Sequence, residues 1–170
     1  MATNIFGYGS LLNTESRRRV FTELSMNEDV VLSGYQRILN AGHEDFDYLA
    51  MNLTLNESMS VKGHVFSVSE ADMPALLERE IGYDLVDISD QVSVQLSEPV
   101  FAFIMHKTVN EGKEICEKYL GTCLRGVPAH EHDQWIKETI ILKNKLNNFN
   151  SIKATEAIVS VAFCWWVICV

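Results

Sequence analysis

Two features of this sequence can do chemistry: a carboxylate at position 80 and a glycine turn near the start. Met73, Leu76, Leu77 and Ile81 recur at helical spacing, about 100° per residue. Glu80 stands four residues after Leu76, three after Leu77 and seven after Met73, so it falls inside their stripe, while Glu78 and Arg79 project elsewhere. A carboxylate turned inward costs several kcal/mol unless it is paired, hydrogen-bonded or protonated. Burial raises its pKa toward neutrality, which suits a group that accepts and returns a proton. The alternative is a helix that ends near Leu77 and leaves Glu80 on the surface of a turn.

The second feature is Ile5-Phe6-Gly7-Tyr8-Gly9-Ser10-Leu11, a short apolar strand running into a turn with two glycines around one tyrosine. Glycine permits positive φ and the close approach of a ligand to the main chain. Successive N–H groups pointing one way form a concave site for an anion or a carbonyl oxygen. Other chemistries find less support. Ser10 lacks the G-x-S-x-G frame of a nucleophile elbow. No Gly-Lys-Ser/Thr follows Gly9, so the turn is not a phosphate loop. His130 and His132 in His130-Glu131-His132-Asp133 point apart on a helix, which argues against a metal site. Cys123 falls on an apolar helical face and reads as a core thiol rather than a nucleophile. No metal or cofactor is expected.

The elements that must position these groups follow from composition and pattern. The chain has 170 residues, 47% hydrophobic and 22% charged, enough for one domain with a sizeable core. Its formal net charge of -9 would repel a nucleic-acid backbone. The basic triple Arg17-Arg18-Arg19 reads as a solvated face. Four cysteines without a C-x-x-C suit reduced thiols in a cytoplasm, and the start carries no signal-peptide pattern.

In chain order, 13–24 is expected to be helical with Thr14 as cap. Strands are expected at 30–39, 49–55 and 61–68, with a polar acidic loop at 42–47 and a turn at 56–60. Ser69-Glu70-Ala71-Asp72 has the form of a capping box, and Gly82 supplies the helix stop. Further strands are expected at 83–88, 92–96 and 100–105. A second capping box, Thr108-Val109-Asn110-Glu111, predicts a helix through Cys123 and Leu124, and a last helix spans about 130–146. The order predicts an α+β fold: about six strands in a mostly antiparallel, barrel-like mixed sheet, with three main helices. The domain is placed at 1–149. Residues 150–170 form an apolar tail of unknown role; its nearly all-apolar run, 157–170, is too short for an ordinary membrane span.

The chain resembles the gamma-glutamylcyclotransferase-like proteins. Phe6-Gly7-Tyr8-Gly9-Ser10-Leu11 is similar to that family's opening YGSL-type loop, and Gly34-Tyr35-Gln36-Arg37 resembles its second-strand signature. Asn52 stands where the family often has asparagine in an apolar strand. Val61-Lys62-Gly63-His64-Val65-Phe66 resembles the strand before its helix. Leu77-Glu78-Arg79-Glu80-Ile81-Gly82-Tyr83 resembles the segment with the family's catalytic glutamate, and Tyr119-Leu120 with Leu124-Arg125-Gly126 resembles its late helix. Met51-Asn52-Leu53-Thr54-Leu55 departs from the small-residue run or proline usual there.

The resemblance covers roughly 4–142 and implies an enzyme without metal or cofactor. A γ-glutamyl dipeptide, glutathione or amine closes on itself to 5-oxoproline and releases an amine or amino acid. Glu80 would move the protons. The turn of Gly7, Tyr8, Gly9, Ser10 and Leu11 would bind the substrate through its backbone, with polar contacts from Asn52 and Tyr119. The alternatives are a non-catalytic small-ligand-binding module on the same scaffold, or an interaction protein acting through its tail.

Overall fold

The computed structural model describes residues 2–141. The expected tail at 150–170, Cys164 and Cys169 lie outside these residues. Strand β1 (Ala2–Gly7) leads through a 3₁₀ turn (Ser10–Leu12) into the short helix α1 (Thr14–Arg18). A long hairpin follows, β2 (Ser25–Ala41) and β3 (Tyr48–Ser69), then helix α2 (Met73–Arg79) and strands β4 (Asp84–Asp87) and β5 (Val100–Ile104). The described chain ends with β6 (Glu114–Ile115), α3 (Glu117–Leu124), α4 (His132–Lys137) and β7 (Ile140–Ile141).

The strands lie in the order β4-β5-β1-β3-β2-β7, with β6 added beside the start of β3. The extensive pairings, β1 with β3 and β2 with β3, are antiparallel; β1–β5, β2–β7 and β3–β6 are parallel. The α+β class and the mixed sheet are as expected. The barrel-like closure is not: β4 and β7 are the two ends of an open sheet, with no pairing between them among the described residues.

Each face of the sheet buries its own cluster, because successive strand side chains point to opposite faces. Phe6, Leu32, Leu53 and Val65 join Leu120, Leu124 and Trp135 of α3 and α4 on one side. Ile5, Phe66, Val68 and Phe103 join Leu11, Phe21 and Leu76 of α2 on the other. The arginine triple is a solvated face at Arg18 and Arg19, which are exposed, but not at Arg17. Arg17 is 1% exposed, donates to the Leu11 and Leu12 carbonyls at 2.7 and 2.9 Å, and stacks over Phe66. It pins the end of the glycine turn from below. The α1 cap is Asn13, whose Oδ1 accepts from the Ser16 N–H at 3.0 Å, rather than Thr14.

Local chemistry explains the other departures. The turn expected at 56–60 is a bulge within a continuous β3. Asn56 Oδ1 accepts from both the N–H and the hydroxyl of Ser58, and the register slips opposite Gly34, whose φ is +79°. The strand expected at 92–96 makes a single bridge, Val92 to Leu32. The capping box at 108–111 starts no helix. Gly112 turns the chain at φ +72°, and α3 begins at Glu117. The last helix stops at Lys137, and just beyond it the Thr139 hydroxyl donates to the Trp135 carbonyl at 2.8 Å and accepts from Arg37 Nε at 2.9 Å. The buried Arg37 guanidinium also lies 4.2 Å above the Trp135 ring, tying α4 to β2.

Candidate functional site

Glu80 is mostly covered, but not by the stripe that predicted it. Leu77 and Ile81 are 48% and 46% exposed, so the helix presents only Leu76 and part of Met73 to the core. The helix ends at Arg79, and Glu80 is its C-terminal cap, with ψ at +36°. Gly82 then takes φ +85°, a left-handed conformation that suits glycine. A Cβ there would also fall 2.5 Å from His43 Cδ2. This sharp exit turns the Glu80 side chain inward, leaving it 13% exposed.

Its environment is unusual for a carboxylate. Oε1 lies 3.2 Å from Arg79 Nε yet accepts no hydrogen bond from the described residues. Burial raises the Glu80 pKa above its ordinary 4.5, and the Arg79 charge only partly opposes this. Arg79, read from the sequence as projecting elsewhere, is the group that connects the acid to the glycine turn. Its guanidinium donates to the Ser16 carbonyl at 2.8 Å, to Ser16 Oγ at 2.9 Å and to Ser10 Oγ at 3.1 Å.

A cavity of about 420 Å³ opens beside these groups, within the usual range for small-molecule sites. Of the residues singled out in the sequence, Ser10, Glu80 and Tyr119 line it. Gly7, Tyr8, Gly9 and Leu11 do not. Gly7 ends β1 opposite His64, and the Leu11 side chain is core. Tyr8 is buried and donates its hydroxyl to the Phe103 carbonyl at 2.5 Å. Gly9 lets the turn press against β3: a Cβ there would stand 2.9 Å from Met51 Cβ and 3.3 Å from Tyr119 Oη. The N–H groups of Gly9, Ser10 and Leu11, at the start of the 3₁₀ turn, donate to no described acceptor, as expected of a helical N-terminus.

Asn52 does not line the cavity. Its Nδ2 donates to Asn40 Oδ1 and to the Met105 carbonyl, and its Oδ1 accepts from the N–H groups of Leu53 and Met105. Every polar atom of that side chain is spent on joining β3 to the end of β5. His132, weighed as a metal ligand, directs Nε2 at the Leu124 and Val127 carbonyls, both at 2.9 Å. Among the described residues no three His, Cys, Asp or Glu side chains cluster as a metal site would require. Cys123 is a core thiol, its pKa pushed up to about 12 by burial.

Sequence reasoning missed Tyr83 and the aromatic residues of the 42–48 turn. Tyr83 donates to the Met51 carbonyl at 2.7 Å, while Tyr119 Oη accepts from the Met51 N–H at 2.9 Å, so two phenols grip one residue of β3. Burial first, and the nearby Glu80 charge among lesser causes, raises the Tyr8 and Tyr83 pKa values well above the usual 10.0. These phenols stay protonated beside the acid. The only available signal was the type of residue, since Tyr83 stands just past a helix stop and Phe46 within a polar loop.

No family model matches the sequence, and no curated protein matches it. The fold does have counterparts among solved structures. A gamma-glutamyl cyclotransferase superposes with a TM-score of 0.63 at 13% identity, over 91% of this chain and 99% of that one. A human protein described as uncharacterized gives 0.65 at 14% identity, over 89% and 98%. YkqA from Bacillus subtilis gives 0.63 at 14%, over 80% of this chain and 53% of that one. The chain has a gamma-glutamyl cyclotransferase-like fold.

Proposed function

We propose that this protein is a gamma-glutamyl cyclotransferase. The observation that carries the proposal is the Glu80 carboxyl, buried on the cavity wall with Oε1 free of hydrogen bonds and its pKa raised. In the proposed reaction the substrate's α-amine attacks its own γ-carbonyl carbon. A new C–N bond closes the five-membered ring, the original γ-amide C–N bond breaks, and 5-oxoproline and an amine or amino acid result. Because the reaction is intramolecular, holding the substrate folded supplies much of the acceleration. Glu80 takes the proton that the α-amine sheds and returns one to the leaving nitrogen, so protons balance and no other reactant is consumed. Of the 3₁₀ turn only Ser10 lines the cavity, and its N–H, with no described acceptor, supports a role in stabilising the developing oxyanion. Arg79 holds that turn and the acid in one frame through Ser10, Ser16 and Glu80.

Incubation with γ-glutamyl dipeptides, glutathione and γ-glutamyl amines is expected to release 5-oxoproline. Glu80→Gln is expected to lower kcat by about 10²–10⁴-fold, the usual worth of a positioned acid/base, while the thermal transition is retained. Full activity in that variant would remove Glu80 from the mechanism. Binding of 5-oxoproline without release from any substrate would favour a non-catalytic module instead.

A further inference from the structure

One wall of the cavity takes no part in the proton transfers. The rings of His43, Phe46, Tyr48 and Tyr119 follow one another with centroids 5.8, 5.6 and 5.8 Å apart, each pair tilted. All four line the cavity. Phe46 and Tyr48 are only half-buried, so the strip keeps ring surface uncovered.

Tyr48 belongs to β3 and Tyr119 to α3, and the loop that carries His43 and Phe46 is fastened by hydrogen bonds. The Val109 N–H donates to the Gly42 carbonyl at 2.8 Å, the Phe46 N–H to the His43 carbonyl at 3.1 Å, and the Glu114 N–H to the Asp47 carbonyl at 3.2 Å. Lys113 Nζ donates to the Phe46 carbonyl. Gly42 permits the contact with the 109–114 segment, since a Cβ there would fall 2.1 Å from the Val109 carbonyl oxygen. Rings held in place before a ligand arrives spare it the cost of ordering them. The strip offers little to a charged group. Its single titratable base, His43, has Nδ1 3.3 Å from Asp45 Oδ2.

We infer that this strip receives the leaving group of the substrate and selects an aromatic or large apolar side chain there. The inference rests on the functional reading proposed above. Tilted ring pairs at these separations are favourable beyond simple burial, by roughly 2- to 10-fold in affinity. A leaving amino acid with an aromatic side chain gains this term together with burial, whereas alanine or the cysteinyl-glycine of glutathione does not.

The test measures 5-oxoproline release by the full chain from γ-glutamyl-phenylalanine, γ-glutamyl-alanine and glutathione. The phenylalanine substrate is expected to exceed the other two in kcat/KM by about 10-fold, chiefly through KM. Phe46→Ala is expected to bring that ratio toward one, and Phe46→Tyr to restore it. A ratio near one in the unaltered protein overturns the inference whether or not the variants fold. So does a Phe46→Ala variant that slows all three substrates in equal proportion. With γ-glutamyl amines assayed alongside, release from no γ-glutamyl compound overturns the functional reading and this inference with it, whereas release from the amines alone, or release without preference, overturns the inference alone.

Discussion

At the residue scale the molecule turns on one carboxyl group held where carboxylates are uncomfortable. The raised pKa of Glu80 has a definite consequence for stability. In the unfolded chain this group titrates near 4.5, and in the fold it titrates higher. Between those values the native state binds more protons than the unfolded state, so stability falls as pH rises through that window. Above the folded value the whole penalty stands. Glu80→Gln removes it. The variant's melting temperature, relative to the parent, is therefore expected to be higher at pH 7 than at pH 4. An unchanged difference at the two pH values would show that burial places no burden on the carboxylate. The sequence announced an inward carboxyl at Glu80, but for an incomplete reason. Periodicity set Glu80 in an apolar stripe, two members of which prove exposed. The cap geometry at ψ +36° and the Gly82 turn bury it instead.

At the element scale the site depends on contacts between segments distant in sequence. Arg79 at the end of α2 grips the turn after β1, and Tyr83 and Tyr119 hold Met51 of β3 from both sides. Asn52 shows how such clamps mislead a reading of residue type. A polar side chain in an apolar strand suggests a ligand contact, yet here it replaces missing backbone bonds between β3 and Met105. Asn52→Ala leaves the Met105 N–H and carbonyl unpaired, each at about 1–3 kcal/mol. The variant is expected to lose about 2–4 kcal/mol in chemical denaturation, with KM for any active substrate changed little. A large rise in KM with stability intact would instead make Asn52 a substrate contact. The bulge at Asn56 belongs to this scale too, because it accompanies a side chain that bonds its own backbone.

At the scale of the whole molecule, an open sheet with a core on each face needs both helical groups, α2 on one side and α3 with α4 on the other. The described sheet ends at β7, which pairs Ile140 with Ile38. A chain ending at residue 149 is expected to keep the thermal transition of the full chain and its 5-oxoproline release. A loss of either would place 150–170 within the folded unit. Among the described residues no helix is long and apolar enough to cross a membrane. By itself the sequence determined the α+β class, the main strands, the glycine turn and the inward carboxyl at position 80, because these rest on local spacing and backbone preference. Only the tertiary structure decided that the sheet stays open, that Arg17 is buried while Arg79 joins acid to turn, and that rings from a polar loop, β3 and α3 meet in one aromatic wall. Those outcomes depend on which distant segments meet. Burial and pairing energies between such segments exceed the local preferences of any one of them.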